Sequence, residues 1–279
     1  MNPMIVIARL TFREAVRRKI VLAALLLGIA FLVIFDLGFY FIQRDFTTSA
    51  YAPPARVRSE AYNFMALAGM YVVNFLSIAI GALITADSLA GEILSGTIQA
   101  TMTKPIRRSA VVIGKWLGQA VLLLLYLGLL GGGVILSVRL LAGYGMPNWA
   151  AGLGLVYFNS LIIMTLTLAF SSSISTLATG GAVFGAFGLA FIGGWVERIG
   201  TILKNQTAID LGILSSLLLP SEAVWNKAAS LMTSPLASLT GITPFTSASE
   251  PSLLMIIYSV IYLIAALAIA IRRFGKRDL

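Results

Sequence analysis

The chain holds 279 residues, 58% apolar and only 11% charged, with 20 Lys and Arg against 11 Asp and Glu for a net charge of +9. Soluble domains carry roughly 25% charged residues, and a soluble core of this length could not hide so much apolar surface, so lipid must be the solvent for much of the chain. There is no Cys and no His, which excludes disulfides, thiol chemistry, imidazole bases and the commonest zinc ligands together.

The basic residues flank apolar runs and do not form a patch with interleaved aromatics, so they read as membrane flanks and not as a nucleic-acid surface. Arg9, Arg13 and Arg17 recur every four residues as one basic stripe, and Ile5, Ala8, Phe12 and Val16 line a neighbouring apolar face. Residues 1–19 are therefore expected to form an amphipathic helix at the cytoplasmic surface, its arginines near anionic headgroups. Arg17, Arg18 and Lys19 precede an apolar run from Ile20 to Ile42 with no clean small-residue cleavage site after it, so the run is expected to be an uncleaved first span.

A spanning helix needs roughly 20 mainly apolar residues. Five further stretches qualify: Tyr62–Thr85, Ala110–Leu136 (or on to Leu141), Ala150–Phe170, Leu177–Trp195 and Leu253–Ile271. Asp36 is the one acid deep in a predicted span, about 24 Å along the first helix from Ile20 at ~1.5 Å per residue, and so in the outer half. An intramembrane acid is a candidate for a transport pathway, or else a hydrated or hydrogen-bonded group facing the bundle. Tyr40 and Trp195 read as interface anchors. The glycines of the third and fifth spans suit close helix packing in lipid. Leu211–Leu219 is too short to span and reads as interfacial or re-entrant. With Ala223–Met232 beyond Pro220, it is expected to form a pair of short helices at the outer surface.

Placing both termini inside leaves 13 Lys and Arg on the cytoplasmic side and 7 outside, the bias that orients membrane proteins. The most informative inner loop follows the second span. Asp87 and Glu92 end that span, and Leu94, Ile98 and Met102 then fall at helical spacing, predicting a docking helix over Leu94–Thr103 with one apolar stripe. Pro105 stops it, and Arg107, Arg108 and Lys115 lead into the third span. A connector would need only turn residues and charge; a compact helix can also dock on a cytoplasmic partner. The other inner turn, Ser171–Thr176, is too short for that.

Glu92-x-x-x-Gly96-Thr97, then Pro105 with Arg107 and Arg108, then Ile113-Gly114-Lys115 opening a span, resembles the loop of ABC-2-type transporter permeases, in particular those like the membrane subunit of the copper-processing transporter that serves nitrous oxide reductase. The basic start, the six spans, the stretch Leu217–Trp225 and the end from Arg272 to Leu279 agree with that resemblance. It implies an all-α polytopic fold of the type V exporter kind: a connecting helix over 1–19, and a six-span domain over 20–279 with a coupling loop at 86–110 and short outer helices within 197–252. It also implies a plasma-membrane permease coupled to two copies of an ATPase subunit through Glu92, Leu94, Gly96, Thr97, Ile98, Pro105, Arg107, Arg108 and Lys115, working beside an identical or homologous second permease. ATP and Mg would belong to the ATPase, because the phosphate-cradling pattern G-x-x-x-x-G-K-[S/T] is missing here: Trp116 follows Gly114-Lys115, and Arg277 follows Gly275-Lys276. A channel or secondary transporter working alone is the alternative, and paired broken spans with intramembrane charges would mark it.

Overall fold

A computed structural model describes residues 3–48, 53–97, 107–236 and 251–277, and the regular elements among them are all helices. In chain order they are α1 (Pro3–Arg17), α2 (Lys19–Thr48), α3 (Ala55–Leu94), α4 (Arg108–Ala142), α5 (Trp149–Ser171), α6 (Thr176–Leu203), α7 (Gln206–Leu218), α8 (Ser221–Met232) and α9 (Leu253–Gly275). Six of them, α2 to α6 and α9, are long and apolar enough to cross a membrane, each containing one of the predicted spans. Both ends of the chain therefore lie at one face of the bundle, called the terminal face below.

The helices start and stop for local reasons. Pro53 and Pro54 keep the chain extended before α3, where a missing amide costs nothing. Gly143, at φ +64°, caps α4 by donating its amide to Arg139 O, a left-handed position that glycine takes without a Cβ penalty. Ser175 and Asn205 accept from the first-turn amides of α6 and α7.

Burial separates the core from the lipid shell. In their most apolar stretches α3 is 67% buried and α5 56%, against 11% for α2 and 17% for α9. So α3, α4 and α5 form the core, with α2 and α9 outside. Glycines set several close approaches: a Cβ on Gly69 would meet Phe35 of α2, and one on Gly133 would stand 2.9 Å from Leu32. The same holds for α1, which lies along α4. There Gly114 leaves room for Ile7, and Gly118 for the backbone at Ala8. The face that α1 buries is Ile7, Thr11 and Ala15, while Ile5 and Val16 of the expected apolar stripe stay exposed and Arg9, Arg13 and Arg17 point away from the bundle. Of the stripe visible in the sequence, Ile5 and Val16 are left exposed while Phe12 packs against the core, and the buried stripe was masked by its threonine.

One expectation about helix placement needs correction. The second span does not stop near Thr85; α3 runs 40 residues to Leu94 and takes Asp87 and Glu92 into the helix. The expected pair of short helices is formed by α7 and α8 on either side of Pro220, bent by 104°, and of the interfacial and re-entrant readings its packing fits the second. Ser215 of α7 packs on Gly193, and Leu219 at the elbow belongs to one buried cluster with Ile78 of α3 and with Ile162 and Ile163 near the middle of α5. From there α8 runs back along α5 to Met232, which fills the space over Gly152 and accepts from Asn63 Nδ2 through its carbonyl. Val224, Trp225, Ala228 and Ala229 are fully buried. The pair is a re-entrant hairpin.

Candidate functional site

The terminal face carries a polar network centred on the last two turns of α3. Arg18, at the joint between α1 and α2, pairs with Glu14 at 2.6 Å and with Asp87 at 2.8 Å. Burial works against its charge, but the two carboxylates outweigh that and hold its pKa above the ordinary value. Thr176, opening α6, donates to the other oxygen of Asp87 at 3.1 Å. Lys115 of α4, only 5% exposed, donates to Ser88 O at 3.1 Å and forms an ion pair with Glu92. Ser171, ending α5, donates to Ala86 O at 2.9 Å and accepts from the amide of Ala90 at 3.0 Å.

A second set of bonds ties in the last helix. Arg108 at the start of α4 donates to Gly275 O at 3.1 Å and Arg277 O at 2.6 Å, and the Arg277 guanidinium donates to Ser172 O at 2.9 Å. The end of α3 is therefore joined to the α1–α2 joint and to α4, α5 and α6, and α9 is joined to α4 and to the α5–α6 turn. Any force that moves the end of α3 is felt at that face by the whole bundle.

The predicted coupling residues divide sharply. Glu92, Lys115 and Arg108 are engaged inside the chain. Arg107 is exposed as the N-cap of α4. Leu94 closes α3 with 87% of its surface exposed. Gly96 takes φ +71°, so a single helix from Leu94 is not formed: Ser95 and Gly96 make the turn, and helix resumes at Thr97, whose hydroxyl lies 2.5 Å from that of Ser95. Ile98, Thr103 and Pro105 lie outside the described residues. Asp36 sits apart from all of these in α2, half-buried, with Oδ1 buried and without a hydrogen-bond partner.

Near the opposite face is a cluster that the sequence reading missed. Arg198 of α6 pairs with Glu222 at 3.1 Å and donates to Asn226 Oδ1 at 3.0 Å, with both charged side chains at most 6% exposed. Gly194 makes room, since a Cβ there would stand 2.8 Å from the Glu222 carboxylate. Arg198 lies over the Trp195 ring at 5.3 Å, a cation–π contact, and Tyr71 of α3 meets Trp225 edge-on at 5.1 Å. One signal was present in the sequence, an acid two residues after Pro220 in an otherwise apolar stretch. Its partner could not be read off, because the hairpin brings α8 back beside α6.

Six helices long and apolar enough to cross a membrane, gathered at one face by a polar girdle, define a polytopic membrane protein. The sequence model described as ABC-2 family transporter protein matches residues 5–279, nearly the whole chain, and the protein belongs to that family. No curated protein matches it.

Proposed function

We propose that this chain is the membrane-spanning subunit of an ATP-binding cassette exporter of the plasma membrane, with both termini cytoplasmic, driven by two copies of a separate ATPase. The observation that carries the reading is α3: a 40-residue helix, bonded at its end to the neighbouring spans, that finishes in an exposed Leu94 beside a turn. A motor that pushes there moves the bundle as a unit. The missing phosphate-cradling motif assigns ATP and Mg to the partner, and the 13-to-7 excess of Lys and Arg on the terminal side supports its cytoplasmic placement.

A second permease, identical or homologous, suits the bare face of α6. Gly181, Gly185 and Gly188 have open space where a Cβ would stand, and Leu177 and Ile192 on that side are 88% and 59% exposed. Small residues allow another backbone to come close in lipid. Asp36 is assigned to the outer part of the pathway. The narrower likeness to the permease that serves nitrous oxide reductase rests on the loop motif and the Leu217–Trp225 stretch.

The test is to purify the chain from its native membrane. The reading predicts a copurifying ATPase with a Walker A motif, equal in copy number to the permease chains and hydrolysing Mg-ATP. A chain that is isolated alone yet carries out transport in vesicles without ATP is the stand-alone transporter instead.

A further inference from the structure

Between α5 and α9, in the half of the bundle next to the terminal face, runs a groove of about 400 Å³, within the ~300–1,000 Å³ of small-molecule sites. Alanines on both helices create it. Ala169 and Ala266 are 8% and 5% exposed and line its walls together with Phe170, Ile269 and Tyr262. Polar groups come only at the ends: the Tyr262 hydroxyl at the deep end, and Ser173 with Arg273 at the terminal face. From Tyr262 to Arg273 is about 16 Å along α9 at ~1.5 Å per residue, the thickness of one leaflet of a ~30 Å core.

The charge at the mouth is what identifies the occupant. Arg277 and Arg108 are spent on backbone carbonyls that fix the end of α9, and buried Phe274 anchors the same turn. Arg273 is held at the groove by that anchoring. Among the described residues its guanidinium makes no hydrogen bond or ion pair, and no carboxylate lines the groove. Basic pockets between spanning helices on the cytoplasmic side are where anionic lipid headgroups bind.

The geometry points to a binding site for an anionic glycerophospholipid of the leaflet at the terminal face. The phosphate sits on Arg273, with the Ser173 hydroxyl in reach, and one acyl chain lies along the alanine-lined groove as far as Tyr262. The site joins the core helix α5 to the peripheral α9, so its lipid seals a seam that side chains leave open. It goes beyond the exporter reading and does not depend on an ATPase.

The full chain, exchanged into nanodiscs holding equal phosphatidylglycerol and phosphatidylcholine with the same acyl chains and then re-extracted, should retain phosphatidylglycerol about fivefold over phosphatidylcholine by native mass spectrometry. Arg273→Gln should bring the ratio near one, Arg273→Lys should keep it, and Ala266→Leu should lower retention of both lipids. Equal retention by the native chain, an unchanged preference in Arg273→Gln, or unchanged retention in a folded Ala266→Leu would each overturn the site. A shift of Ala266→Leu from dimer to monomer with no change in lipid would assign the groove to a second copy. If Ala266→Leu fails to fold, the Arg273 pair of variants still decides.

Discussion

The two ends of the bundle use charge in opposite ways. Near the face away from the termini, one ion pair, Arg198 with Glu222, is sealed inside the protein at 6% and 3% side-chain exposure. At the terminal face the charge is divided among several pairs of graded exposure, from Lys115 with Glu92 at 6% and 20% to Arg18 with Asp87 at 27% and 45%. A sealed pair tolerates only one arrangement, because separating it leaves a charge without water or partner. A hydrated pair can open and re-form at little cost. The cluster at the far face is therefore built as a fixed lock on the hairpin, and the terminal network as a joint that can be rearranged.

That contrast breaks most easily at the lock. Glu222→Ala should lower the stability of the purified chain by about 3–5 kcal/mol, the cost of removing the charged partner of a buried Arg198. Thermal unfolding in detergent measures it, and the double variant Arg198→Leu with Glu222→Leu should recover most of the loss. A double variant as unstable as the single would mean that packing, and not charge, sets the cost. The joint should respond less. Lys115→Met strands Glu92, which keeps some water, and should cost about 1–3 kcal/mol. Arg18→Ala should cost at most ~1 kcal/mol, and the native pair should weaken as salt is raised. If Arg18→Ala proved as damaging as Glu222→Ala, the terminal network would be a second lock and the comparison would fail.

What was legible in the sequence follows from the same physics. The six spans were visible because lipid demands an unbroken apolar run, and the run needs no partner to be recognised. The end of α3 was not, because Asp87 and Glu92 look like the close of a span until Arg18 and Lys115 arrive from elsewhere in the chain to neutralise them. Arg107, Arg108 and Lys115 all read as loop cations, yet Arg108 holds α9 and Lys115 is buried. Glu222 escaped notice in a segment too short to span. A hairpin of two short helices buried between spans has no hydropathy signature of its own, and Pro220 marks only the elbow. Gly96 was read as part of a helix because its spacing fitted one; its left-handed backbone makes it the turn.

In the proposed function, force enters the bundle at the exposed end of α3. Leu94→Asp, alone and with Ile98→Asp, tests it most directly in the full-length chain coexpressed with its ATPase. Leu94 is 87% exposed, so membrane insertion and thermal unfolding of the permease should not change. A charge placed in an apolar docking contact is costly, so copurification of the ATPase and ATP-driven transport should fall together. ATPase binding and transport at native levels in both variants would contradict the account and leave residues 94–103 as a connector.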